Sequence, residues 1–144
     1  MPSVPPRHRL LPAVLMLALG VIGFTAVWVT LALKTGRQLS WLALLAAIDM
    51  ALLLAVMKLA ASPLRAALAV AGTAATVALA NFMIVAGQVG IGMGMQPWTS
   101  ALLLGRQHAW TLADLANTPR DWGTYLVALV LAAWAGLSAR RRAP

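Results

Sequence analysis

The chain reads as an all-α integral membrane protein: four transmembrane helices in a compact bundle, with short interfacial helices in the outer loop between spans three and four. Three observations predict this. Of 144 residues, 62% are hydrophobic and only 10% are charged, whereas an average soluble domain is about 25% charged. A single domain of this length has surface that must be wetted, and polar side chains are too few to cover it. Disorder needs low hydrophobicity and fails on the same count. The apolar residues form four long runs divided by polar turns, and basic residues gather at the ends of those runs.

The first run, Leu10 to Leu33, follows Arg7, His8 and Arg9 and carries no charge. Roughly 20 apolar residues cross a hydrocarbon core of about 30 Å, so this run is long enough to span. A secretory signal has a shorter apolar region of about 7–15 residues and a small-residue cleavage site, so a retained span is expected. Pro12 falls in its first turn, where a missing N–H costs little. Lys34 to Gln38 is a polar turn, and Ser40 to Ala61 is the second span. Ser62 and Pro63 then form an N-cap followed by a proline at the first helical position. The third span runs from Leu64 to Gly87. Beyond it, Gly87, Gly90, Gly92 and Gly94 make a segment too glycine-rich to be read as helix interior.

Residues 96–121 are the only long connection. Thr99 or Ser100 can cap a short helix through Leu104, and Thr111 to Asp114 resembles a capping box. Both segments pair leucines with polar residues, as interfacial helices do. Thr118, Pro119 and Asp121 repeat the cap logic before the fourth span, Trp122 to Ala139.

The formal charge of +8 is an orientation signal. Arg7, Arg9, Lys58, Arg65, Arg140, Arg141 and Arg142 fall at one set of run ends. Lys34, Arg37, Arg106 and Arg120 fall at the other, offset by Asp114 and Asp121. The positive-inside rule gives an N-in, C-in topology. Trp28, Trp41, Trp98, Trp110 and Trp122 are then expected at the outer interface and Trp134 towards the inner one. No basic stripe interleaves with aromatics, so nucleic-acid binding is not expected. Arginine is strongly preferred over lysine and alanine is abundant, which points to a GC-rich bacterial genome and the inner (cytoplasmic) membrane.

Asp49, in the middle of the second span, is the sharpest chemical feature. An acid there costs on the order of 2.5–3.5 kcal/mol. Steps of about 100° put Lys58 on the opposite helical face, so the two do not pair. Asp49 lies roughly 13 Å above Lys58; Thr73 and Thr76, at roughly 12 and 16 Å above Arg65, are the donors that match its depth. Three readings stand: a carboxylate in a transport path, a protonated acid bonding a threonine to fix packing, or a contact to a partner subunit. Asn81 and Gln88 share a face of the third span, where Asn more often bridges helices than binds a ligand. Ala67, Ala71 and Ala75, beside Gly72 and Thr76, make a small-xxx-small packing seam, and Gly90 to Gly94 is formally a GxxxG motif.

Enzyme signatures are missing. The chain has no cysteine and no glutamate, nor H-E-x-x-H, G-x-S-x-G or P-loop. The Gly-x-Gly run has Met95 where a dinucleotide loop needs its third glycine. Met93, Met95 and His108 suggest at most a soft-metal site, and methionines that simply pack explain them better. His8 and His108 fall at opposite faces, which excludes a haem bound between them. No metal or cofactor is therefore expected. Arg106, His108, Asp114, Arg120 and Asp121 cluster in the outer loop, where a head-group site is conceivable. Two functions remain. The first is an accessory or scaffold subunit of a larger membrane complex, working in the lipid bilayer beside a membrane-protein partner or as a homo-oligomer. The second is a small oligomeric transporter or channel-like protein using Asp49, Thr73, Thr76 and Asn81.

Overall fold

The computed structural model describes residues 7–138. The side chains of Arg7 and His8, and residues 139–144 with the Arg140 to Arg142 cluster, lie outside that description. Among the described residues there are six helices and no strands: α1 (Arg7–Thr35), α2 (Leu42–Val56), α3 (Pro63–Gly92), α4 (Pro97–Leu103), α5 (Arg106–Ala116) and α6 (Pro119–Leu137). Two of them, α1 and α3, are long and apolar enough to cross a membrane; α2 is a shorter apolar helix.

Two helices start where side-chain caps direct. Ser62 accepts from the Arg65 N–H with Pro63 at the first position of α3. Thr118 and Asp121 form the reciprocal capping box of α6, with Pro119 at its first position. Other starts differ from the sequence reading. Pro97 opens α4 after Gln96, ahead of Thr99 and Ser100. Gly105 precedes α5, so Thr111 lies inside the helix and bonds its own turn at Gln107. Because α1 begins at Arg7, Pro12 sits inside it rather than in its first turn.

Three helices stop by one device. Arg37 N–H reaches Ala32 C=O, Leu59 reaches Leu54, and Met95 reaches Gly90, each around a left-handed residue: Gly36, Lys58 and Gly94. These are Schellman caps, which close the last open carbonyls. The cap at Lys58 ends α2 at Val56, well short of the expected Ala61. Conversely, the glycine-rich stretch after Gly87 is helix through Gly92. Packing overrides propensity there. A Cβ at Gly87 would stand 2.7 Å from Leu33 Cδ1, and one at Gly90 would stand 3.1 Å from Ser100 Cβ. The Gly90–Gly94 spacing therefore serves an internal contact with α4 and a helix stop, not a dimer face.

α2 and α3 pack on each other, and both pack on α1 and on α6. Leu17 lies against Gly72 and Leu33 against Gly87, so α1 and α3 run parallel. Tyr125 meets Asn81 and Gly136 meets the backbone of Ala66, so α6 runs antiparallel to α3. The short helices α4 and α5 pack on α3.

Small side chains fill the interior. Ala13, Ala32, Ala43, Ala46, Ala47, Ala69, Ala80, Ala128 and Ala132 are buried around Trp28, Met50, Leu54 and Ile84, and large apolar residues such as Leu19, Ile22, Leu126 and Val130 face outwards. The seam on α3 is Ala66, Ala69, Gly72, Thr73, Thr76 and Ala80. Ala67, Ala71 and Ala75 were expected in it but lie on the exposed side. Thr73 and Thr76 are fully buried, and the face they share with Gly72 is the one that meets Leu17 and Met50.

Candidate functional site

The densest polar chemistry lies where the α1–α2 turn, the middle of α3 and the α5–α6 junction meet. Asn81 Oδ1 accepts from Gln38 Nε2 at 2.5 Å and from Asn117 Nδ2 at 2.7 Å. Its own Nδ2 donates to Val77 C=O. Tyr125 has one O–H proton. It goes to Asn117 Oδ1 at 2.7 Å, since the 3.5 Å approach to Asn81 is too long to compete. Gln38 is held in turn by Trp28, whose indole N–H donates to its backbone carbonyl at 3.0 Å. A satisfied network of this kind fixes one arrangement of the helices that contribute to it.

Asp121 extends the same end of the molecule. Its Oδ1 accepts from Ser40 Oγ at 2.5 Å, and its Oδ2 accepts from the Thr118 hydroxyl and backbone N–H. Partial burial disfavours the charged form, but these bonds from Ser40 and Thr118, with Arg120 nearby, outweigh it and hold the carboxyl below its usual range. Trp110, Trp122, Tyr125 and Trp28 form a chain of tilted and edge-on rings at centroid separations of 5.9 to 6.3 Å. Trp28 is fully buried and so belongs to the core, not to an interfacial belt. Trp41, Trp98, Trp110, Trp122 and Trp134 are exposed.

Two cavities open beside the network. One, of about 410 Å³, runs between α3, α5 and α6 from Ala74 up to Arg106. The other, of about 520 Å³, lies between α3 and the α4–α5 corner. Asp49 lines neither.

No family model matches the chain, nor does any curated protein or solved structure.

The structure separates the residues grouped by depth. Asp49 is half-buried beside Leu45, Ile48 and Leu52, the exposed face of α2, and among the described residues its carboxyl makes no hydrogen bond or ion pair. Thr73 and Thr76 donate to Ala69 and Gly72 C=O on their own helix, so neither hydroxyl is aimed at Asp49. Asn81 is buried in the network, whereas Gln88 is exposed. Met93 and His108 are exposed, and no three His, Cys, Asp or Glu side chains converge among the described residues. Gln38, Asn117 and Tyr125 went unselected in the sequence, because each sits at the end of an apolar run and nothing local says that those ends meet.

Proposed function

We propose that this chain is a four-span membrane subunit that stabilises or positions a larger membrane assembly, with the α2 face around Asp49 as its docking surface. The observation that carries the reading is the placement of Asp49. It borders an exposed apolar face, lines no cavity and has no partner within the described chain. An acid left towards lipid costs on the order of 2.5–3.5 kcal/mol, which a donor on a neighbouring subunit would offset. The small-residue interior and large apolar exterior support a lipid setting, since lipid gives helices no hydrophobic drive to associate and close packing must supply it. The parallel α1 and α3 support four crossings. The bacterial inner membrane remains the compartment of choice on composition. A transport path draws no support, because Thr73, Thr76 and Asn81 are each occupied by bonds within the bundle.

The test is affinity purification from mild detergent of the wild type and of Asp49→Leu. A membrane protein recovered at fixed stoichiometry with the wild type and lost with the variant is the expected result. Recovery of the chain alone, together with cation flux in vesicles that Asp49→Asn abolishes, would favour the transporter.

A further inference from the structure

The two cavities are not independent. Both are lined by Phe82 and by Arg106, so two grooves share one aromatic ring and one cation. On one side Ala74 and Ala78 keep the wall of α3 low while Leu126 and Leu129 of α6 face it. From Phe82 down to Ala74 that groove follows α3 for about 12 Å, at about 1.5 Å per residue. On the other side Met83, Trp98 and Leu102 line the second groove. Arg106 is exposed, and among the described residues it forms no ion pair.

We propose that this is a binding site for one anionic diacyl phospholipid, its two acyl chains lying either side of Phe82 and its phosphate on Arg106. The inference rests on the membrane placement argued above. The shape selects the ligand class. A small soluble anion would use Arg106 and leave both grooves empty, and a fatty acid would fill one. An amphiphile with one negative head and two tails matches one uncompensated cation above two apolar grooves. Trp98 in one groove and Trp110 and Trp122 in the other suit the depth, because indole rings favour the headgroup level. Guanidinium is also the side chain best matched to phosphate oxygens.

The tryptophans make the site observable. Purified protein is reconstituted into phosphatidylcholine vesicles containing a small fraction of phosphatidylglycerol with brominated chains, and tryptophan quenching is compared with that from brominated phosphatidylcholine. One basic side chain near a charged headgroup corresponds to about fivefold enrichment of the anionic lipid. Arg106→Gln should abolish the excess quenching and Arg106→Lys should retain most of it. Ala78→Phe, which fills one groove from an exposed position, should weaken it with Arg106 intact. Unbrominated phosphatidylglycerol should reverse the quenching at lower concentration than its single-chain lyso form. Equal quenching by both brominated lipids, an excess that survives Arg106→Gln, or equal competition by the lyso lipid would each overturn the proposal. Vesicle flotation separates the two levels. Protein that floats without excess quenching loses the lipid site alone, and protein that does not float loses the membrane placement as well.

Discussion

Asn81 is worth more to this molecule than its one apparent role as polar glue would suggest. Its Oδ1 collects two donors from different segments, Gln38 and Asn117. Asn81→Leu takes the shared acceptor from both donors and puts two bulkier methyl groups in its place, while Asn117 Nδ2 retains Ala113 C=O. Forcing extra volume into a packed site costs about 1–3 kcal/mol, in addition to about 0.5–1.5 kcal/mol for each bond lost. Asn81→Leu, with two bonds lost and a crowded site, should therefore destabilise more than Tyr125→Phe, which removes one bond and leaves Asn117 Oδ1 without its donor. Unfolding of both variants in detergent, followed by tryptophan emission, checks this; a larger loss in Tyr125→Phe would show that Asn117, not Asn81, is the hub. Sequence reading found Asn81 because an amide in an apolar run stands out. It missed Gln38 and Asn117 because polar residues in turns need no special explanation. It also overestimated Thr73 and Thr76, since a helical hydroxyl can satisfy itself on the preceding turn.

At the level of elements, the caps with a local chemical code were readable and the stops without one were not. Ser62-Pro63 and Thr118-Pro119-Arg120-Asp121 announce helix starts, because the bonding partners lie within three residues. The end of α2 carries no such code: Lys58 occupies the left-handed position that glycine usually fills. A side chain there costs roughly 1–2 kcal/mol relative to glycine, part of which the added freedom of a glycine in the unfolded chain takes back. Lys58→Gly should thus stabilise by up to about 1 kcal/mol, a rise in thermal midpoint measured in detergent. A fall would mean that the aliphatic stem of Lys58 contributes packing beyond its backbone strain. The third helix errs in the opposite direction. Its glycines look like a helix end, yet Gly87 and Gly90 are sites where Leu33 and Ser100 approach too closely for a Cβ to fit without displacement. Propensity is local, and those contacts come from segments far away in the chain.

For the whole molecule, the direction of the two longest helices decides more than the length of the shorter ones. Helices α1 and α3 are the ones long and apolar enough to cross, and they lie parallel, Leu17 beside Gly72 and Leu33 beside Gly87. Two parallel crossings in one chain require the segment between them to return across the same thickness. The only chain available is residues 36–62, which contains α2. That helix is 15 residues long, about 22 Å at 1.5 Å per residue, but its flanks extend it. Gln38 is bonded to Asn81 at one end and Leu59 is approached by Arg65 at the other, so the return covers the α3 interval from Asn81 to Arg65. Helix α6 covers nearly the same interval, from Tyr125 beside Asn81 to Gly136 against Ala66. The prediction is a labelling pattern. With no native cysteine, single substitutions at exposed Thr35, Ala60, Gln96 and Ala116 report sidedness directly. A membrane-impermeant maleimide applied to the outer side should label Thr35→Cys, Gln96→Cys and Ala116→Cys, leaving Ala60→Cys to react only after permeabilisation. Labelling of Ala60→Cys together with the other three would mean that α2 does not cross. Since α1 and α3 could not then both cross in the same direction, that result would also require their packing to change in the bilayer.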